Sequence, residues 1–265
     1  EIKYAGYDAI ILEGASPHPV YLYVDDETVE LRDAAAYWGL GSFSLEKRLK
    51  DELGKEFQIA TIGPAGENGV KYACINHDFG RQAGRGGVGT VMGAKKLKAI
   101  AVRGSGGIPL ADVAGFSRVA KEAYRICKEA DLLEEWTRYG TMIVTSWCDE
   151  NGTLPTRNFQ SGSFEQGPNL YAPVFRQSIV VTDKGCFGCP SPCGKYSYSK
   201  KHDVYVEGPE YETNGMMGSD LGLDDIEDVA RANQLCDELG LDTISAGGSV
   251  AWAMECYEKG ILSRE

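Results

Sequence analysis

The sequence predicts an α+β fold, with a β-rich N-terminal domain followed by a mostly α-helical one. Three observations carry that reading. Short apolar runs in the first hundred residues are broken by Gly, Pro and Asp. Gly104-Ser105-Gly106-Gly107 has the composition of a break between domains. Beyond it the apolar residues recur with a helical period. The domains are drawn at residues 1–105 and 106–265.

In the first domain, Tyr7 to Glu13 is expected to be a strand. Ser16-Pro17-His18-Pro19 turns the chain into a strand from Val20 to Val24, and Asp25-Asp26 turns it back along Thr28 to Leu31 as a hairpin. Ser44 is expected to cap a helix from Leu45 to Leu53, which Gly54 stops. Phe57 to Ile62, Val70 to Ile75 and Lys98 to Val102 are the remaining expected strands. In the second domain, Asp112 to Cys127 places Val113, Phe116, Val119, Ala120 and Tyr124 on one helical stripe. Leu132 to Tyr139 and Thr141 to Cys148 are expected as short helices separated by Gly140. Asn151 to Lys184 is polar and irregular, and Asp224 to Leu239 and Thr243 to Lys259 are two helices divided by Gly240.

A net charge of −12 argues against nucleic acid as a partner, because phosphate neutralisation needs clustered cations. The charge is unevenly placed: Arg81 to Arg103 holds six basic residues and no acid, a stretch suited to an anion or to a solvated face. No apolar run approaches the roughly 20 residues of a membrane span. Eight cysteines, three clustered and five scattered among apolar neighbours, suggest a reducing compartment and so a cytoplasmic protein. The chain starts at Glu1 and stops just after a helix-like run, so a piece of a longer protein or a processed subunit is expected.

Two motifs carry chemistry. Cys186-Phe187-Gly188-Cys189-Pro190-Ser191-Pro192-Cys193 spells C-x2-C-x3-C. Close spacing sets several thiolates on one loop, as iron–sulfur clusters require. A zinc site with His202 as fourth ligand is the competing reading. Gly84-Arg85-Gly86-Gly87-Val88-Gly89 matches G-x-G-x-x-G. A dinucleotide turn needs a strand before it and a crossover helix after it. The polar Asn76 to Arg81 and the early next strand argue against both, and no Lys-Ser or Lys-Thr follows to make a P-loop. What remains is a turn whose backbone N–H groups and Arg85 suit an anion.

Taken together, several segments resemble the aldehyde:ferredoxin oxidoreductase family. They are the glycine loop continued through Val102, Ile62-Gly63-Pro64-Ala65-Gly66-Glu67-Asn68, Leu154-Pro155-Thr156-Arg157-Asn158-Phe159-Gln160, and Gly208-Pro209-Glu210-Tyr211-Glu212-Thr213. Asp237-Glu238-Leu239-Gly240-Leu241-Asp242 is similar to that family's D-x-x-G-L-(D/C) pterin motif, and the cysteine loop lies between them in the expected order. The resemblance implies a pterin-binding first domain and a buried tungsten, or molybdenum, held by two pterins, and it allows magnesium bridging the pterin phosphates. It implies a 4Fe-4S cluster on Cys186, Cys189 and Cys193, with the fourth ligand outside this chain. Gly84, Arg85, Gly86, Gly87, Val88 and Gly89 would face one pterin, and Asp237, Gly240, Leu241 and Asp242 the other. Glu212, and after it Glu210, matches a carboxylate near the metal. The implied activity is oxidation of a small aldehyde to a carboxylic acid, with electrons leaving to ferredoxin in an anaerobe, and homo-oligomers are allowed. Reduction of an aromatic acyl thioester is the rival within the superfamily, and a zinc-stabilised interaction domain the rival outside it.

Overall fold

The computed structural model describes residues 1–263, which fall into two compact units. The first comprises Glu1–Ala111 together with Cys236–Asp242; the second comprises Asp112–Leu235 and the residues from Thr243 onward.

The first unit is built on a six-stranded sheet. Its strands are β1 (Val20–Asp25), β2 (Thr28–Asp33), β3 (Gln58–Thr61), β4 (Ile75–His77), β5 (Arg81–Ala83) and β6 (Leu97–Arg103). They lie in the order β2-β1-β6-β3-β4-β5. Only the β1–β6 pair is parallel. The central strands are apolar on both faces because both faces are covered. Helix α1 (Ser42–Leu53) sets Leu45 and Leu49 against Tyr21, Ile59, Ala99 and Ala101 on one face. On the other face Leu22, Val24, Leu97 and Val102 meet Met92 of helix α3 (Val88–Ala94). Between β3 and β4 a single turn, α2 (Pro64–Glu67), starts at a proline whose missing N–H costs nothing there.

Several expectations change here. Tyr7 to Glu13 forms no strand: Ile10 and Leu12 pack on the core and Ile11 faces out, so the alternation is real while the backbone joins no ladder. Val70 to Ile75 turns, with Ala73 N–H donating to Val70 O at 3.0 Å, and the strand begins at Ile75. The polar residues before the glycine loop make the hairpin β4–β5, and a helix, α3, does open after that loop. The dinucleotide reading still fails, because β5 runs antiparallel to β6 and three strands away from it in the order. Helix α1 starts at Ser42, two residues before the expected cap, because a carboxylate from elsewhere, Glu238, accepts from Phe43 N–H (3.0 Å) and the Ser44 hydroxyl (2.5 Å).

The second unit contains α4 (Val113–Lys128), α5 (Leu133–Tyr139), α6 (Val144–Glu150), α7 (Ala172–Ser178), a short turn α8 (Tyr211–Thr213), α9 (Ile226–Leu239, whose last turn belongs to the first unit) and α10 (Thr243–Glu258). Its core gathers Met142, Leu154, Phe164, Leu170, Phe175, Val206 and Val229. The 151–184 stretch, expected to be irregular, holds α7 and the first strand of a three-stranded antiparallel sheet, β7 (Val180–Lys184), β8 (Gly194–Ser199) and β9 (Val204–Glu207). The polar sequence hid it, since Lys195, Ser197 and Ser199 are its buried face and Tyr196 and Tyr205 its exposed one. The apolar stripe of α4 is exposed at Val113, Phe116, Val119 and Tyr124. Among the described residues no helix is long and apolar enough to cross a membrane.

One buried ion pair orders the first unit. The Lys98 ammonium, fully buried in β6, donates to Leu40 O (2.8 Å), Ile62 O (2.7 Å) and the Glu67 carboxylate, which also accepts from Gly39 N–H. Removing one member strands a buried charge, so Glu67→Ala is expected to cost about 3–5 kcal/mol in a denaturant titration. A loss below about 1 kcal/mol, the value of a surface pair, would show that the contact is dispensable.

Candidate functional site

In the first unit the glycine loop and the Asp237–Asp242 segment meet. The end of α9 closes as a paired turn: Gly240, at φ +74°, donates to Asp237 O (3.2 Å), and Leu241 donates to Cys236 O (2.8 Å). That is the glycine-terminated helix stop in which the left-handed residue lets two otherwise orphaned carbonyls accept hydrogen bonds. The stop is then pinned to the loop between α2 and β4. Cys74 N–H donates to Gly240 O (2.9 Å), Asp242 N–H donates to Tyr72 O (3.1 Å), and Leu241 bridges Ala73. A Cβ on Gly63 would stand 2.3 Å from Leu239 O, so the approach of these two turns requires glycine.

The motif thereby presents two carboxylates at a helix C-terminus, where the macrodipole disfavours negative charge. Cationic and amide groups of the glycine loop and its hairpin answer them. Gln82 of β5 donates its side-chain amide to the Asp237 carboxylate, and Arg85 Nε stands 3.4 Å from Asp242 Oδ2. Both aspartates are buried, whereas Arg85 is largely exposed. The loop takes left-handed φ at Gly86 (+111°) and Gly87 (+72°). Gly87 and Gly89 are hemmed in, their would-be Cβ atoms lying 2.2 Å from Lys71 O and 2.3 Å from Cys74 O. Gly86 has nothing within 4 Å on that side, so the loop backbone is open there. Val88 begins α3, partly exposed. The two segments, expected to face different pterins, meet in one place through Gln82–Asp237 and Arg85–Asp242, so one polar bicycle with an anionic tail fits this donor and acceptor set: carboxylates for its N–H edge, open backbone and a guanidinium for its phosphate. Gln82 was not anticipated, because its strand is polar. Cys74 and Cys236, behind the motif, are pushed up to about 12 by burial and then by Asp237, and so are inert thiols of the core.

In the second unit the cysteine motif is the loop of the β7–β8 hairpin, closed at its ends by the Lys184–Gly194 pair. Gly188 takes φ +71°, Cys189 N–H donates to Cys186 O (3.0 Å) and Cys193 N–H to Ser191 O (2.9 Å). Cys186 and Cys189 are exposed, Cys193 is half-buried, and all three are free thiols. Among the described residues no three His, Cys, Asp or Glu side chains are grouped to hold a metal ion. A cubane cluster would take one thiolate on each of three irons, whereas a single zinc ion would gather its ligands at one point. The ring of His202 is engaged elsewhere, 2.6 Å from Asp228 Oδ1. Beneath the loop lies a residue the sequence reading missed: Lys195, 2% exposed, whose ammonium donates to Cys193 O (2.8 Å) and Thr137 O (2.7 Å).

Of the two expected carboxylates, Glu210 is half-buried and accepts from the Thr141 hydroxyl, which itself accepts from Tyr211 N–H (2.8 Å). Gly140, next to Thr141, would place a Cβ 2.5 Å from Cys193 O and 3.8 Å from Glu210 Oε2, so Glu210 stands beside the cysteine loop. Glu212 is exposed in the first turn of α8. A one-turn π-helix, Asn214–Gly218, follows directly, a form that often marks functional sites. The Arg157-Asn158-Phe159 segment is also unusual, with three successive left-handed residues (φ +47°, +54°, +59°). Ser219 and Asp220 hold it: their carbonyls accept from Arg157 and Asn158 N–H, and Asp220 Oδ1 accepts from Phe159 N–H (3.0 Å).

Over 99% of the chain the fold matches, with a TM-score of 0.82 and 30% identity, a solved active-site complex (BamBC) of benzoyl coenzyme A reductase with 1,5-dienoyl-CoA; the match covers 42% of that protein. The family model for the aldehyde ferredoxin oxidoreductase N-terminal domain matches residues 1–104, and that for domains 2 and 3 matches residues 118–265. The chain therefore belongs to the aldehyde ferredoxin oxidoreductase family. It is 45% identical over its full length to a tungsten-containing aldehyde ferredoxin oxidoreductase of Pyrococcus abyssi, and 45% identical over 99% of its length to one of Thermococcus kodakarensis. It spans 44% of the length of each.

The left-handed run yields a test. Burial raises the Asp220 carboxyl above the ordinary aspartate range, and hydrogen bonds from Phe159 and Asn158 oppose this. The folded state then binds the proton more tightly than the unfolded one. Stability attributable to Asp220 is lost as pH rises from the unfolded value toward the folded one. Asp220→Asn is expected to flatten that segment of the stability–pH curve. Asp220→Ala, leaving Phe159 N–H unpaired, should cost about 1–3 kcal/mol at any pH. An unchanged slope in Asp220→Asn would contradict the assignment.

Proposed function

We propose that this chain supplies a pterin cradle, three thiolates of a four-iron cluster and an acid–base carboxylate to a tungsten-dependent oxidoreductase acting on aldehydes. The observation that carries the reading is the pairing of the glycine loop with the Asp237–Asp242 turn through Gln82–Asp237 and Arg85–Asp242. The net reaction is aldehyde plus water to carboxylic acid, two protons and two electrons. When bound, the metal–pterin group supplies the two-electron oxidation of the carbonyl carbon, which side chains alone cannot perform.

The chain's own residues have separable tasks. Asp237 and Asp242 would accept from N–H groups of a pterin. The loop from Gly84 through Val88 to Gly89 would bring backbone N–H groups close to a pterin phosphate, with Arg85 adding a charge-assisted bond there or beside a bound magnesium. Gly240 and Leu241 set the turn that aims both carboxylates. Cys186, Cys189 and Cys193 would each hold one iron of the cluster. Glu212, exposed at the start of α8, takes a proton from the attacking water or orients the carbonyl. Glu210, already bonded to Thr141, is better placed to hold the loop than to exchange protons. A ferredoxin-type carrier is the electron acceptor.

The solved reductase complex supports a second reading, reduction of an aromatic acyl thioester on the same frame. Purified full-length protein separates them. Iron and tungsten together, with viologen reduction dependent on simple aldehydes, is the expected result. Aryl-CoA turnover without aldehyde activity favours the second reading, and zinc without iron or tungsten defeats both. In Glu212→Gln, aldehyde turnover should fall about 100-fold or more with the metal content unchanged.

A further inference from the structure

Lys195 is buried two residues beyond the last cysteine of the loop, and nothing in the proposed chemistry uses it. Its ammonium is surrounded by backbone carbonyls: Thr137 O at 2.7 Å, Cys193 O at 2.8 Å, Gly194 O at 3.3 Å and Pro192 O at 3.4 Å. Asp183 Oδ1 lies 3.4 Å away and is itself paired with Arg176. Three carbonyls of that set belong to the last turn of the cysteine loop, and the fourth ties the turn to α5. An ammonium offers three donors to these carbonyls, where a side-chain amide offers two. It also brings a charge whose burial costs several kcal/mol, and that charge lies beside the cysteine loop. Lys195, Arg176 and Asp183 together carry a net charge of +1, which Glu210, also beside the Cys193 turn, offsets in part, and Lys195 touches the carbonyl of Cys193.

We propose that Lys195 is an electrostatic positioning residue for the cluster: it holds the Cys193 turn in place and, by its buried positive charge, raises the cluster's reduction potential. The inference rests on the cluster reading above. The direction follows from the couple. Adding one electron makes the cluster more negative, and a fixed nearby cation stabilises that state more than the oxidised one; Lys195 is buried, so solvent reaching the exposed Cys186 and Cys189 screens its charge only in part. Asp183 opposes the effect in part. The residue binds no iron, so its removal alters the potential rather than the ligand set.

The test uses full-length loaded protein and measures iron and acid-labile sulfide first, then the midpoint potential by a redox titration monitored by electron paramagnetic resonance. Relative to wild type, Lys195→Met is expected to have a lower potential, Lys195→Arg an unchanged one, and Asp183→Asn a higher one. A Lys195→Met protein with a full cluster and an unmoved potential overturns the proposal while leaving the cluster reading intact. If Lys195→Met fails to assemble a cluster, Asp183→Asn decides, since Asp183 is partly exposed and Asn keeps its shape. A potential that does not rise there overturns the proposal. Wild-type protein without iron or sulfide removes the cluster reading and this inference with it.

Discussion

The first unit depends on the close approach of two glycine turns. At Gly63 and Gly240 the chain turns against itself with no room for a side chain, and a would-be Cβ on Gly240 lies 2.7 Å from Gly63 N. This lets seven residues, Cys236–Asp242, rejoin a sheet unit from which they are separated by more than a hundred positions in sequence. Backbone bonds to Cys74 and Tyr72 then lock the turn. Only with that docking complete do Asp237 and Asp242 stand opposite Gln82 and Arg85. The carboxylates sit at a helix end whose dipole opposes them, an arrangement that makes sense for groups facing a ligand and not for groups placed to stabilise a helix.

A second device recurs in both units. Lys98 and Lys195 are buried ammonium groups that gather carbonyls from turns and keep one carboxylate within reach. Lys98 organises the turn that carries Gly63, through Ile62 O, and Lys195 organises the turn that carries Cys193. An ammonium can serve several acceptors at once, so one residue can define a loop that has no regular hydrogen bonding of its own. The cost is desolvation, which makes each such lysine sensitive to loss of its partners.

Much of the frame could be read from sequence. The Val20–Asp33 hairpin, α1, β6 and the two long C-terminal helices follow apolar periodicity and glycine stops. The polar strands could not, because β4, β5 and β8 are held by ladder bonds and buried hydroxyls, ammonium and amide groups in place of apolar side chains. The same blind spot hid Gln82 and Lys195. A lysine directly after a cysteine loop, on a strand whose alternate residues are tyrosine, was the available signal for Lys195. The site motifs themselves were legible because each demands glycine at a fixed offset: Gly240 for the helix stop, Gly86 and Gly87 for left-handed backbone. Their meeting in space was not, since nothing local in Asp237–Asp242 names Tyr72 or Cys74 as its partner.

The central claim is that the turn at Asp237–Asp242 builds the pterin cradle by docking on the Gly63 turn. The most direct test is tungsten and iron per chain in full-length Gly63→Ala, whose new Cβ would meet Leu239 O at 2.3 Å. The account predicts a large loss of tungsten with iron retained, because the cysteine hairpin is held by other contacts. Tungsten at the wild-type level would contradict it.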